Sequence, residues 1–117
     1  MTELVSCLST GKGTWGQVGR VINDYEWEKV FLITNEFGKE NFSNNKAEFI
    51  VVNTEENLKN LMKEIFDKLN GKIKGTEVAL NLISGSGKEH MAILSALLKM
   101  GLGIRLMAFT EEGVEEI

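Results

Sequence analysis

Two short segments carry the residue types from which a site could be built. The first, Ser9-Thr10-Gly11-Lys12-Gly13-Thr14-Trp15-Gly16, combines hydroxyls and one ammonium with three glycines; the second, Ser84-Gly85-Ser86-Gly87-Lys88, offers two hydroxyls and one ammonium. Glycines let a backbone approach a phosphate closely, and amides at the start of a following helix add donors backed by the helix dipole. The chemistry on offer is therefore the holding of a phosphate or a ribose. Gly11 to Gly16 is a literal G-x-G-x-x-G, with acidic Glu36 at about the expected distance beyond it, the pattern that seats a dinucleotide. Ser9 and Thr10 lengthen its turn, however, and bulky Trp15 stands where the helix should pack closely. The Gly87-Lys88 pair of the second segment suggests a P-loop, but the first glycine of that pattern falls at Leu82. Glu89 also replaces the hydroxyl that would ligate magnesium. Hydrolysis of a nucleoside triphosphate is not expected.

His90 is of the residue type that most often serves as a general acid or base. Its place two residues past Lys88 reads more simply as a half-exposed position on the first turn of a helix. With one histidine and one cysteine, Cys7, no zinc cluster and no intrachain disulfide can be assembled, and neither a metal nor a resident cofactor is expected. Trp15, inside the glycine segment, could stack on a base, whereas Trp27 reads as packing. Lys59, Lys63 and Lys68 read as a solvated face balanced by Glu64 and Asp67.

The elements that must position these segments follow from apolar period. Strands are expected at about 3–8, 30–34, 48–52, 78–83 and 104–109, alternating with helices. Val18, Val21 and Ile22 mark a helix to about Tyr25. The connection from Asn35 to Asn45 has room for one short helical turn. A long helix capped by Asn53 or Thr54 carries the stripe Leu58, Leu61, Met62, Ile65, Phe66 and Leu69, and stops at Asn70-Gly71. A last helix from about Glu89 to Met100 ends at Gly101. The segment Glu111-Glu112-Gly113-Val114-Glu115-Glu116 reads as an acidic tail. The pattern predicts an α/β fold: an open, Rossmann-like parallel sheet of about five strands in the order 3-2-1-4-5, with helices on both faces. In that order the ends of the first and fourth strands border the crevice where such sheets bind ligands, and both glycine segments fall there.

Composition bounds the rest. A chain of 117 residues, 43% hydrophobic and 26% charged, suits one folded domain spanning 1–117. Thirteen basic against 17 acidic residues, a formal charge of -4, argue against a broad duplex-binding surface but not against one small anion in a local pocket. The apolar runs Val30 to Ile33 and Phe49 to Val52 are too short to span a bilayer, and the N-terminus lacks a signal-peptide layout, so a cytoplasmic protein is expected.

Ser9-Thr10-Gly11 after the first strand, Phe31-Leu32-Ile33-Thr34 as the second, and Leu82 to Lys88 running into an alanine- and leucine-rich helix resemble the CRISPR-associated Rossmann-fold (CARF) sensor domains of antiviral defence. The resemblance spans about Glu3 to Phe109. It implies a two-fold homodimer that binds a cyclic oligoadenylate across its axis, as a sensor or as a ring nuclease. Carried over by position, Ser9, Thr10, Gly11 and Lys12 would contact the ligand from the first loop, and Ser84, Gly85, Ser86, Gly87 and Lys88 from the second; Gly13 and Trp15 extend the first set. In a metal-independent ring nuclease each ribose 2′-hydroxyl attacks its own phosphate. Lys88 and Lys12 would then stabilise the developing charge while Ser9 or Ser84 orients the ribose. The chain departs from the family in the form of its second motif, and neither the family's final strand nor an effector domain after it is expected. Two other classes remain open: a Rossmann-type enzyme or regulator using a conventional nucleotide such as NAD, and a protein-interaction domain without a small ligand.

Overall fold

The structure, a computed structural model, describes residues 2–117. The first strand, β1 (Glu3–Cys7), is followed by a 3-10 turn (Lys12–Thr14) and by α1 (Trp15–Asn23). Then come β2 (Lys29–Thr34), α2 (Glu36–Asn41), β3 (Ala47–Val51), α3 (Leu58–Leu69), β4 (Glu77–Asn81) and α4 (Gly87–Lys99). An eight-residue strand, β5 (Gly103–Thr110), turns back into β6 (Gly113–Glu116). The sheet has six strands in the order β3-β2-β1-β4-β5-β6, parallel throughout except for the β5–β6 pair. This is the expected Rossmann-like layout with one strand added at its edge.

Parallel strands must be covered on both faces, which is why β1 and the Val30–Thr34 part of β2 are buried at every position. On one face Val18, Val21 and Ile22 of α1 pack on Leu4, Val30, Leu32, Ala79 and Met107. On the other, the stripes of α3 and α4, with Leu61, Ile65, Leu69, Ile93 and Leu97, pack on Val5, Phe31, Ile33, Ile50 and Leu80. Full burial of each such side chain contributes about 1.5–3 kcal/mol before the entropy of ordering it. β1 also buries Glu3, whose carboxylate accepts the amides of Lys74 at 3.0 Å and Gly75 at 3.1 Å, so the α3–β4 loop is tied to the sheet.

Three expectations are corrected. The long helix is capped by Asn57, whose side chain accepts the amide of Asn60 at 2.9 Å, and not by Asn53 or Thr54. Asn53 instead accepts the amide of Glu55 at 3.1 Å, closing a separate local turn of the kind its side chain favours as readily as a cap. The first helix ends at Asn23, two residues short of Tyr25, which stacks on Trp27 at 4.6 Å between centroids. The acidic segment is not a tail: Val114 pairs opposite Phe109 as part of β6, so a final strand is present. Gly113, at φ +106°, makes the tight return, and the Thr110 hydroxyl receives the amide of Glu112 at 3.1 Å. Charge dominated the reading of this segment and hid Val114, the one apolar side chain within β6.

Candidate functional site

The parallel pairing of β1 with both β2 and β4 makes the carboxyl end of β1 a switch point, where the chain leaves in opposite directions along the sheet. Residues that follow β1 and β4 meet there. Ser84 is 1% exposed, and its Oγ accepts the backbone amide of Ser9 at 2.8 Å. The same hydroxyl donates to Ser9 Oγ at 3.1 Å, and Ser9 Oγ donates to the carbonyl of Gly11 at 3.1 Å. Both hydroxyl protons thus run in one chain ending on a backbone carbonyl. Each serine is held in orientation as a polar contact, and neither hydroxyl faces a base that could strip its proton.

The first loop is anchored by Trp15, whose indole N–H donates to the carbonyl of Ser9 at 2.8 Å. Its ring packs against Phe42 edge-on at 5.6 Å and against Phe37 at 6.2 Å, so it is committed to packing on two sides. Lys12 Nζ lies 5.6 Å from the centroids of both Trp15 and Phe37, a cation held over two rings at the exposed rim of the loop. Thr10, Gly11 and Gly13 are exposed on the same loop.

The second loop is more tightly built. Ser86 caps α4 by accepting the amide of Glu89 at 3.3 Å, and the Glu89 carboxylate accepts the amide of Ser86 at 2.9 Å. This capping box satisfies two of the four amides that a helix start leaves unpaired, leaving those of Gly87 and Lys88 directed out of the helix. His90 Nε2 is 2.8 Å from the carbonyl of Ser84. A carbonyl only accepts, so Nε2–H is the donor in this contact. Gly85, at φ +114°, lies over this arrangement: a Cβ there would come within 2.8 Å of Cys7 Sγ and 2.9 Å of Glu89 Oε1 and His90 Nε2. Burial, reinforced by the carboxylate of Glu89, pushes the Cys7 thiol up from 9.0 to about 12, so it is an inert packing group.

Ser9 and Ser84 are therefore brought into contact, and Gly85, Ser86 and Gly87 adjoin them. The two lysines have different neighbours: Lys88 Nζ donates to the carbonyl of Glu56 at 2.8 Å, tying the start of α4 to the β3–α3 loop, while Lys12 stays with its aromatic rings. Both lysines are exposed. The third glycine of a dinucleotide fingerprint is needed for close helix–strand packing, yet a Cβ on Gly16 or Gly13 would meet nothing within 4 Å. Glu36 follows β2 but stands in solvent on the first turn of α2, with no partner among the described residues.

Sequence reasoning missed three participants. Glu89 counted only against a P-loop, although Ser86-Gly87-Lys88-Glu89 is a legible S-x-x-E capping signature. Asn81, 4% exposed, closes the end of β4 by donating to the carbonyl of Met107 at 2.8 Å. Phe37 had no local signal, because its place over the first loop depends on the β1–β2 pairing. No group of three or more His, Cys, Asp or Glu among the described residues could hold a metal ion, and no described helix is long and apolar enough to cross a membrane. No protein-family model matches the chain, and no curated protein matches its sequence.

Proposed function

We propose that this protein is a homodimeric, cytoplasmic binding module for a cyclic oligoadenylate or a related nucleotide second messenger of antiviral defence, the role its resemblance to CARF sensor domains implies. The observation that supports it is the contact between Ser84 and Ser9 at the switch point of the sheet. It aligns one loop rich in exposed backbone with the uncapped amides of Gly87 and Lys88 at the start of a 13-residue helix. Phosphate is recognised by those amides with Lys88 and Lys12, and ribose by Ser9 and Thr10; Gly11 and Gly13 leave room for the ligand against the backbone, and Gly85 and Ser86 hold the second loop in shape.

Cleavage in this site follows from positioning. A ribose 2′-hydroxyl attacks the adjacent phosphorus in line, the P–O bond to the 5′-oxygen breaks as the 2′-proton is passed on to that leaving oxygen, and the products are a 2′,3′-cyclic phosphate and a free 5′-hydroxyl. No water or metal enters that balance. Lys88 and Lys12 stabilise the charge that develops on the phosphoryl oxygens, and Ser9, positioned by Ser84, holds the ribose. With its Nε2 proton directed at Ser84, His90 serves as a brace of the second loop rather than as the base.

Incubation with labelled cyclic tetra- and hexa-adenylate, following retention and cleavage separately, tests the reading, with Ser9→Ala and Lys88→Ala as controls. Retention that both variants weaken at least tenfold supports it. Retention without cleavage on long incubation leaves a sensor or sponge, and no retention of either ring removes the proposal.

A further inference from the structure

Across β4 from the crevice, the carboxyl end of the sheet lacks a rung. β4 pairs with β5 only as far as Leu80 opposite Leu106, and its chain then turns off into the second loop, while β5 runs on for four residues to Thr110. The amide of Gly103 donates to the carbonyl of Thr76 at 3.0 Å, so Gly103, Arg105, Met107 and Phe109 turn their backbone groups toward β4. The amide of Ile117 donates to the carbonyl of Leu106 at 2.8 Å, so the residues between them turn theirs toward β6. At Met107 the Asn81 side chain stands in for the ended strand, donating to that carbonyl at 2.8 Å. Phe109 is next on this edge, and its N–H and C=O have no hydrogen-bond partner among the described residues. The second amide proton of Asn81 has none there either. A pocket of about 650 Å³ opens at this place, lined on the α1 side of the sheet by Val21 and Phe109 and on the other by Leu94, Leu98 and Leu106. Four of the eight large apolar side chains exposed among the described residues, Ile83, Leu98, Leu106 and Ile117, line it, and no charged one does.

We propose that this pocket is a peptide-binding site, and that its occupant is an extended, apolar, internal segment of another protein, added to β5 where β4 leaves off. The backbone groups set the class of ligand. An N–H and a C=O side by side on one strand residue are met by the main chain of a second strand. A lipid tail or an aromatic ring would fill the volume and leave both unpaired. The walls set the sequence of the segment: side chains of an added strand alternate between the two faces of the sheet, and here both faces are apolar, so the segment is a continuous apolar run. The missing charge excludes a chain end, because a terminal carboxylate or ammonium would lose its water with no counter-charge to replace it. Four residues of β5 project past Leu106, about 13 Å of strand, which a segment of matching length would cover. This chain's own apolar runs, such as Val30 to Ile33, are already built into its sheet and helices, so the segment comes from elsewhere. The inference goes beyond the nucleotide reading and depends on no part of it.

The test is hydrogen exchange at the Phe109 amide, followed by nuclear magnetic resonance in the full chain without nucleotide. The probe is a pool of blocked tetrapeptides of valine, leucine, alanine and threonine. Its control is the same pool methylated at every peptide nitrogen, which keeps the side chains but removes the donors and puts bulk on both strand edges. At about 1 mM the pool should slow exchange at Phe109 at least about tenfold, and the methylated pool should not. Leu98→Lys and Leu106→Lys, on opposite walls at exposed positions, should each leave the circular dichroism unchanged and demand at least about tenfold more of the pool for the same protection. No slowing at about 1 mM overturns the proposal, as does equal protection by the methylated pool. A Phe109 amide already protected in the free protein, and more so at higher protein concentration, also overturns it, since a second copy then fills the slot.

Discussion

Replacing Gly85 by alanine tests how the second loop is held. Its φ of +114° is a backbone region that L side chains rarely adopt, a strain of about 1–3 kcal/mol. The new Cβ would also press on three groups that are not free to retreat. Cys7 Sγ is in the core, Glu89 Oε1 is held by the capping box, and His90 Nε2 is held by the Ser84 carbonyl. Relief by moving any one of them adds about 1–3 kcal/mol, and the lower entropy of the unfolded alanine chain returns about 0.4–1 kcal/mol. The net loss is about 3 kcal/mol. For 117 residues the unfolding entropy is about 0.25 kcal/mol/K, so Tm should fall by about 12 °C in a calorimetric scan. Gly87→Ala, two residues along, is the matched control. Nothing lies within 4 Å of its Cβ and the backbone is helical, so its Tm should hold or rise slightly. A Gly85→Ala protein melting within 3 °C of the parent would refute the reasoning, as would an equal fall for Gly87→Ala.

Three further outcomes are expected. The Cys7 thiol should resist a disulfide reagent at pH 8 in the native protein and react promptly in denaturant. Because its native pKa of about 12 lies above the unfolded 9.0, the native state keeps a proton that the unfolded state loses between those values. Its stabilising contribution is complete below pH 9 and declines above it by up to about 1.4 kcal/mol per pH unit. Cys7→Ala should make the urea midpoint fall less steeply with pH over that range than it does in the parent, so the difference between the two proteins changes with pH, and identical slopes would contradict the account. Ser84→Ala leaves the amide of Ser9 without its acceptor and should cost about 1–2 kcal/mol by urea unfolding, with an unchanged far-ultraviolet spectrum. Asn57→Ala should cost about 1 kcal/mol as the loss of the α3 cap, and Asn53→Ala less than half of that; the reverse order would contradict the assignment of the cap.

The fold was legible because its signals are local. Continuous apolar runs such as Val30 to Ile33 call for a sheet covered on both faces, and Leu61, Ile65 and Leu69 repeat at the helical period. The meeting of the loops after β1 and β4 follows from the strand order alone. What escaped depends on competition or on distance. Asn53 and Asn57 are both good caps, and only the chain's course around the sheet decides between a turn and a cap. Four glutamates conceal Val114, whose value in a strand appears only when β5 is there to pair with. The directions of Lys12 and Lys88 cannot be read from the glycine spacing, since their partners, Phe37 and the Glu56 carbonyl, come from other elements.

The central claim is that a nucleotide seats where Ser9 meets Ser84, and amide chemical shifts measured residue by residue during titration with cyclic tetra-adenylate test it most directly. The account predicts saturating shifts at Ser9, Gly11, Gly85, Gly87 and Lys88, with Tyr25 and Trp27 at the opposite end of the sheet unmoved. Shifts confined to the Tyr25 end, or none at saturating ligand, would contradict it.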